Sequence, residues 1–288
     1  MRKRISEQNI FPNFELYDEY RKIDMLLSEK KCIGKYNMWG KIIHDCYTLE
    51  EYIEQEGFND WNLRGTFVSI GEMRQKLGIE TNSISKDNIN EDKVLDFLQY
   101  AINVVYRVSM TIKKSEYFVL SDNTIIPLLK NNIEQLVKKL NCVFDIDMTT
   151  KERFILYNNS TAVAVSKDYP DIKDSINEYV RIDNRRDLKR KEQILCTLFR
   201  NLESVERKLK KYNFGSILSD ATFLFNKSGI RHWLDNDKTA CETFLKMDQK
   251  ELEEWYDKTF NIFLTCMVLA EYIDNIPSIK EIKRAIGD

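Results

Sequence analysis

Punctuation is scarce in this chain: its 288 residues include only 9 Gly and 4 Pro. A protein of many strands needs such residues at its turns, so their scarcity argues against one. Charge of one sign is also lacking. Forty-four basic residues face 46 acidic ones, leaving a formal charge of −2. That balance excludes coating of nucleic acid by bulk charge, and any such contact must come from a local basic face. The six cysteines (Cys32, Cys46, Cys142, Cys196, Cys241 and Cys266) form no C-x-x-C pair. Zinc sites and small disulfide scaffolds show close cysteine pairs, so buried free thiols are expected instead. No apolar run is read as reaching the roughly 20 residues of a membrane span. The basic start, Met1-Arg-Lys-Arg4, leads into polar residues rather than an apolar segment, so no secretory signal is expected. A cytoplasmic protein without a membrane partner is the resulting expectation. P-loop, G-x-G-x-x-G, H-E-x-x-H and G-x-S-x-G patterns are all missing, and no cofactor or metal is expected.

What is present is apolar content of 43% beside 31% charged residues, arranged mostly at helical spacing. Helices are predicted over 13–31, 36–55 (ending at Gly57), 61–77, 92–112, 124–140, 171–181, 186–211, 216–226 and 248–273. A terminal segment, 278–285, follows Pro277. Residues 78–91 read as a polar loop. The run 92–112 is apolar over more than one face and should sit at the centre of a core. Asp248-Gln-Lys-Glu251 is a capping box opening its helix. Cys142-Val-Phe-Asp-Ile146 and Arg153-Phe-Ile-Leu-Tyr157 are β-prone runs around a polar turn. The fold class is therefore mainly α: helical bundles with a small β-hairpin near residues 142–157. Residues 1–140 form an N-terminal helical region of unassigned role, and 141–288 a helical domain preceded by the hairpin.

Two constellations can carry chemistry. In helix 186–211, Leu188, Leu195, Leu198, Leu202, Val205 and Leu209 form one apolar stripe. Arg186, Lys189, Arg190, Arg200, Arg207, Lys208 and Lys211 gather roughly opposite it at 100° per residue. Such a face can track a phosphate backbone, or it can be an ordinary solvated surface. The second constellation is Asn226-Lys-Ser-Gly-Ile-Arg231-His232. Histidine suits acid–base work near neutrality, and an adjacent arginine can fork onto a phosphate. Together His232 and Arg231 could take a ribose 2′-hydroxyl proton and hold the scissile phosphate without a metal. An Arg-His pair at a helix–loop junction can equally cap a C-terminus or pair with Asp235 or Asp237. Asn226 and Asp257 are candidates to orient the site. His44, the only other histidine, lies in an apolar helical pattern and reads as structural.

The order of these segments carries a resemblance. Asp187-Leu-Lys-Arg-Lys-Glu-Gln-Ile-Leu195 is followed by Leu202-Glu-Ser-Val-Glu-Arg207 and Phe225-Asn-Lys-Ser-Gly-Ile-Arg231-His232. Then comes Met247-Asp-Gln-Lys-Glu-Leu-Glu-Glu-Trp-Tyr-Asp257. Residues 160–275 resemble the C-terminal helical domain of bacterial abortive-infection proteins and related HEPN-like families. The resemblance implies a helical bundle, commonly a homodimer, in phage defence, with RNA as substrate and a partner protein of the defence system. The catalytic pattern of HEPN ribonucleases is an Arg, four to six residues, then a His. Here His232 matches that histidine, while the arginine stands adjacent as Arg231. The alternative is a non-catalytic interaction or sensor subunit of such a system.

Overall fold

The computed structural model describes residues 15–81, 84–228, 230 and 242–286. The protein is mainly helical with two small sheets. It divides into two compact units, 1–155 and 156–288, and the division falls inside the second strand of the expected hairpin.

In the first unit, α1 (Leu16–Asp24) passes through a π-helical turn into β1 (Ile33–Tyr36), β2 (Ile42–Tyr47) and α2 (Leu49–Glu56). Then follow α3 (Ile70–Leu77), α4 (Glu91–Ile112), β3 (Phe118–Leu120), α5 (Ile125–Lys139) and β4 (Cys142–Ile146). β5 (Arg153–Tyr157) pairs with β4. As its apolar girth predicts, α4 is the central element, packed by α1, α2 and α5. Val94, Phe97, Leu98, Ala101, Val104 and Val108 on it are wholly buried.

Two amides on α4 dock the β4–β5 hairpin. Asn103 accepts from the Arg153 N–H (2.8 Å) and donates to the Arg153 carbonyl (2.7 Å), while Gln99 accepts from the Ile155 N–H (2.8 Å). A two-stranded ribbon is marginal alone, and these bonds satisfy the strand edge turned to the helix. A buried ionic cluster joins three further helices. Arg74 on α3 forks onto Glu50 of α2 (2.8 and 3.1 Å) and bonds Asp24 of α1 (2.5 Å). It also donates to the Ile79 carbonyl and to Thr81, both at 3.0 Å, and the Tyr100 hydroxyl donates to Glu50 (2.5 Å).

The expected helix over 36–55 is corrected: its first part is a β-hairpin, and only Leu49–Glu56 is helical. The Asn37 side chain accepts the backbone N–H groups of Trp39 and Lys41, and Gly40 takes φ +69°, so the chain reverses. An Asx turn with a left-handed glycine outcompetes a weak helical pattern. His44 is consequently an exposed strand residue, not a helical core one. The 61–77 helix is likewise shortened. Gly65 turns left-handed after a single 3-10 turn, and α3 starts afresh from the Ser69 cap.

The second unit contains α6 (Ser160–Asp168), α7 (Lys173–Tyr179), α8 (Leu188–Lys211), α9 (Gly215–Lys227), the short α10 (Glu242–Leu245) and α11 (Gln249–Ile286). α6 has no counterpart among the predicted helices. α8 and α11 lie along one another, with α6, α7 and α9 closing the core. The expected capping box opens α11: the Glu251 N–H donates to Asp248 (2.8 Å), and the Asp248 N–H donates to Glu251 (3.2 Å). The helix then runs through Pro277 instead of ending near Ile273. It also corrects the reading of apolar runs, because part of it is long and apolar enough to cross a membrane. Phe260, Phe263, Leu264, Met267 and Ala270 from that stretch are buried in the second unit's core, as a central helix requires.

Candidate nucleic-acid interface

Helix α8 starts where Asp187 accepts the backbone N–H of Arg190 (2.9 Å). Its apolar stripe is buried as expected, with Leu195, Leu198, Leu202, Val205 and Leu209 all in the core. The basic side is less uniform than the sequence suggests. Arg186 precedes the helix at φ +71°, so helical phase does not place its side chain. Its backbone N–H donates to Glu253 (2.9 Å). Arg190 grips Glu178 at 2.6 and 2.5 Å, and Lys208 pairs with Asp274 of α11 (2.5 Å). These pairs neutralise two of the cations expected to meet phosphate.

The other four basic positions, Lys189, Arg200, Arg207 and Lys211, recur at spacings of 11, 7 and 4. At 100° per residue they fall within about 40° of one line along the helix. All four are exposed. Lys211 lies over the ring of Tyr212 at 6.0 Å.

Arg200 also rims a groove of about 490 Å³ between α8 and α9. Glu203, Glu206, Thr222 and Asn226 share that rim, and Cys196, Phe199, Leu202, Leu218 and Phe225 make the floor. The Phe199 and Phe225 rings stack with centroids 4.0 Å apart and planes 3° from parallel, which fixes α9 on α8. Two sequence candidates from different helices, Arg200 and Asn226, thus meet at one cleft. On that floor the Cys196 thiol donates to the carbonyl of Ile230 (2.7 Å), a buried residue. Arg231 and His232 follow Ile230 in sequence and lie outside the described residues, as do Asp235 and Asp237.

Asp257 belongs to a different cluster, between α8 and α11. The buried Lys191 ammonium donates to Asp257 and to Glu253, both at 2.8 Å, and the Tyr179 hydroxyl donates to Asp257 (3.0 Å). Asp257 therefore orients the Lys191 ammonium in this separate cluster. Burial opposes ionisation of Glu253, but the bonds from Lys191 and the Arg186 backbone win and hold its carboxyl below the usual range. Lys191 was legible only as one more lysine in a basic run. Its burial depends on acids some 60 residues away in sequence, at positions 253 and 257.

Glu192 was also missed. Burial pushes its carboxyl up to about 7, against the opposing effects of a hydrogen bond with Tyr256 and the nearby charge of Lys189. A carboxyl titrating near neutrality can either give or take a proton. Among the described residues no three potential metal-ligating side chains converge.

No family model, curated protein or solved structure matches this chain. The resemblance to abortive-infection and HEPN-like domains therefore stands on the residues quoted for it.

Proposed function

We propose that the chain is a phage-defence protein of the abortive-infection type whose second unit engages RNA. The observation that supports this reading is the exposed line Lys189, Arg200, Arg207 and Lys211, beside the α8–α9 groove where Arg200 meets Asn226. A single-stranded backbone can lie along such a line, each neutralised phosphate releasing counterions. In the proposed chemistry His232 takes the proton of a ribose 2′-hydroxyl. The 2′-oxygen then attacks the adjacent phosphorus to form a 2′,3′-cyclic phosphate, the P–O5′ bond breaks, the departing 5′-oxygen takes a proton from water, and Arg231 balances the charge developing on the phosphate. Two such sites meeting across a homodimer would suit the resemblance.

The test is incubation of the purified full chain with labelled single-stranded RNA in the presence of EDTA. Cleavage that disappears in His232→Ala, with the helical circular dichroism unchanged, is the expected result. Arg200→Glu with Arg207→Glu should weaken RNA binding and lower the slope of log K against log salt by roughly 1.4. Cleavage undiminished in His232→Ala would overturn the catalytic assignment.

A second reading, a non-catalytic interaction or sensor subunit, is favoured by one observation. Arg190 and Lys208 spend their charges on Glu178 and Asp274, which is how a solvated structural face behaves. It predicts no RNA turnover and no effect of the double charge reversal.

A further inference from the structure

The β1–β2 hairpin of the first unit carries the most exposed large apolar side chains of the described residues. At its tip Met38 and Trp39 are 97% and 82% exposed. The tip is built rather than loose. Asn37 holds the backbone of Trp39 (3.0 Å) and Lys41 (2.9 Å), the Asn37 N–H donates to the Lys41 carbonyl (2.8 Å), and Gly40 supplies the left-handed residue. Water therefore meets two large apolar groups on a preformed turn, at a continuing hydration cost.

The strands behind the tip narrow the choice of what covers it. Ile42 and Ile43 are neighbours on β2 and point to opposite faces of the ribbon, yet they are 50% and 47% exposed. Apolar surface thus runs round the ribbon instead of lying on one side. A folded partner docking on one face would leave the other isoleucine in water, whereas a fluid apolar medium closes round both. The two charges nearest the tip are both positive, and exposed Asp45 stands farther back on β2. Lys35 stands opposite Ile43 in the antiparallel register, Lys41 follows the turn, and both are exposed. Tryptophan with flanking lysines is the composition favoured where chain meets headgroups.

We propose that this hairpin is a peripheral membrane-contact element: Met38 and Trp39 enter the headgroup region of an anionic bilayer, and Lys35 and Lys41 meet the lipid phosphates. The proposal concerns the first unit alone and is independent of the RNA reading.

The experiment is co-sedimentation of the full chain with vesicles of phosphatidylcholine and of mixed phosphatidylcholine and phosphatidylglycerol. Expected is binding to the mixed vesicles that weakens with salt, and quenching of tryptophan emission by brominated lipid that is reduced in Trp39→Ser. Lys35→Glu with Lys41→Glu should lower partitioning at least about 30-fold, each basic residue near the surface being worth a factor of roughly five. Met38→Ser with Trp39→Ser should abolish it, with circular dichroism unchanged because both side chains stand in solvent. No binding of the unaltered chain to mixed vesicles at low salt would overturn the proposal, and so would binding that survives Met38→Ser/Trp39→Ser. Self-association of the chain lost in that double variant, without vesicle binding, would assign the tip to a second copy and also overturn it.

Discussion

Arg74→Met isolates the buried ionic cluster of the first unit. Methionine keeps much of the arginine stem but removes the guanidinium, which makes six hydrogen bonds and lies over the rings of Phe97 and Tyr100. Two buried carboxylates then lose Arg74: Glu50, 8% exposed, and Asp24, 0% exposed, which is left with Arg21 at 3.3 Å. Removing one partner of a buried pair costs about 3–5 kcal/mol, because the remaining charge is neither solvated nor paired. Two buried acids lose Arg74 and one keeps Arg21, so the cost falls within that range, a large part of the ~5–15 kcal/mol that holds a domain folded. The cost should also depend on pH. Burial already raises the Glu50 carboxyl, against the pull of Arg74 and the Tyr100 hydroxyl, and without Arg74 it rises further. A carboxyl whose folded pKa lies above its unfolded value loses stability as pH climbs through that window. The penalty of Arg74→Met should therefore be larger at about pH 8 than at about pH 5. Urea unfolding at the two pH values measures it, with hydrogen exchange of the α4 amides assigning the transition to the first unit. Adding Asp24→Asn and Glu50→Gln to Arg74→Met should recover part of the loss at the higher pH. A cost under about 1 kcal/mol, or one that does not change with pH, would refute the account of this cluster.

Other consequences can be measured as directly. Asn103→Leu leaves the N–H and C=O of Arg153 without their side-chain partner, so hairpin stability should fall by about 2–4 kcal/mol. Hydrogen exchange across residues 142–157 would rise selectively, and uniform change over the first unit would contradict the docking role. In the second unit, carboxyl NMR of Glu192 should show titration near 7, well above the ~4.3 of an unfolded chain. Its contribution to stability is then most favourable below about pH 4.3 and is lost as pH rises through 7. Glu192→Gln should flatten that part of the pH–stability profile, and a titration near the ordinary value would remove the basis for it.

Helices α4 and α8 were legible because each repeats one residue class over many turns. A long period averages out local exceptions, so the centre of the first unit and the buried stripe of α8 both follow from spacing alone. Short elements offer no such averaging. Ile42, Ile43, Cys46 and Tyr47 have apolar spacing that suits a helix face as well as a strand, and the deciding signals were Asn37 and Gly40 at the turn. Pro277 misled in the opposite direction. A proline forfeits one backbone donor and strains one turn, which weakens a helix without necessarily ending it, and α11 continues to Ile286.

The basic face of α8 was half legible for a related reason. Helical phase says which cations share a line, but says nothing about which acids from other elements reach them. Arg190 and Lys208 lie about 100° round from Lys189 and Arg207, and there Glu178 of α7 and Asp274 of α11 neutralise them. Arg200, Arg207 and Lys211 stay on the line that runs beside the α9 groove. Reversing charge at Arg190 or Lys208 would break an intramolecular pair, mixing a loss of stability with any loss of ligand. Reversal at Arg200 and Arg207 removes exposed positive charge without breaking either of those pairs. Only the second pair of substitutions leaves both ion pairs intact, and for that reason they carry the test of the proposed function.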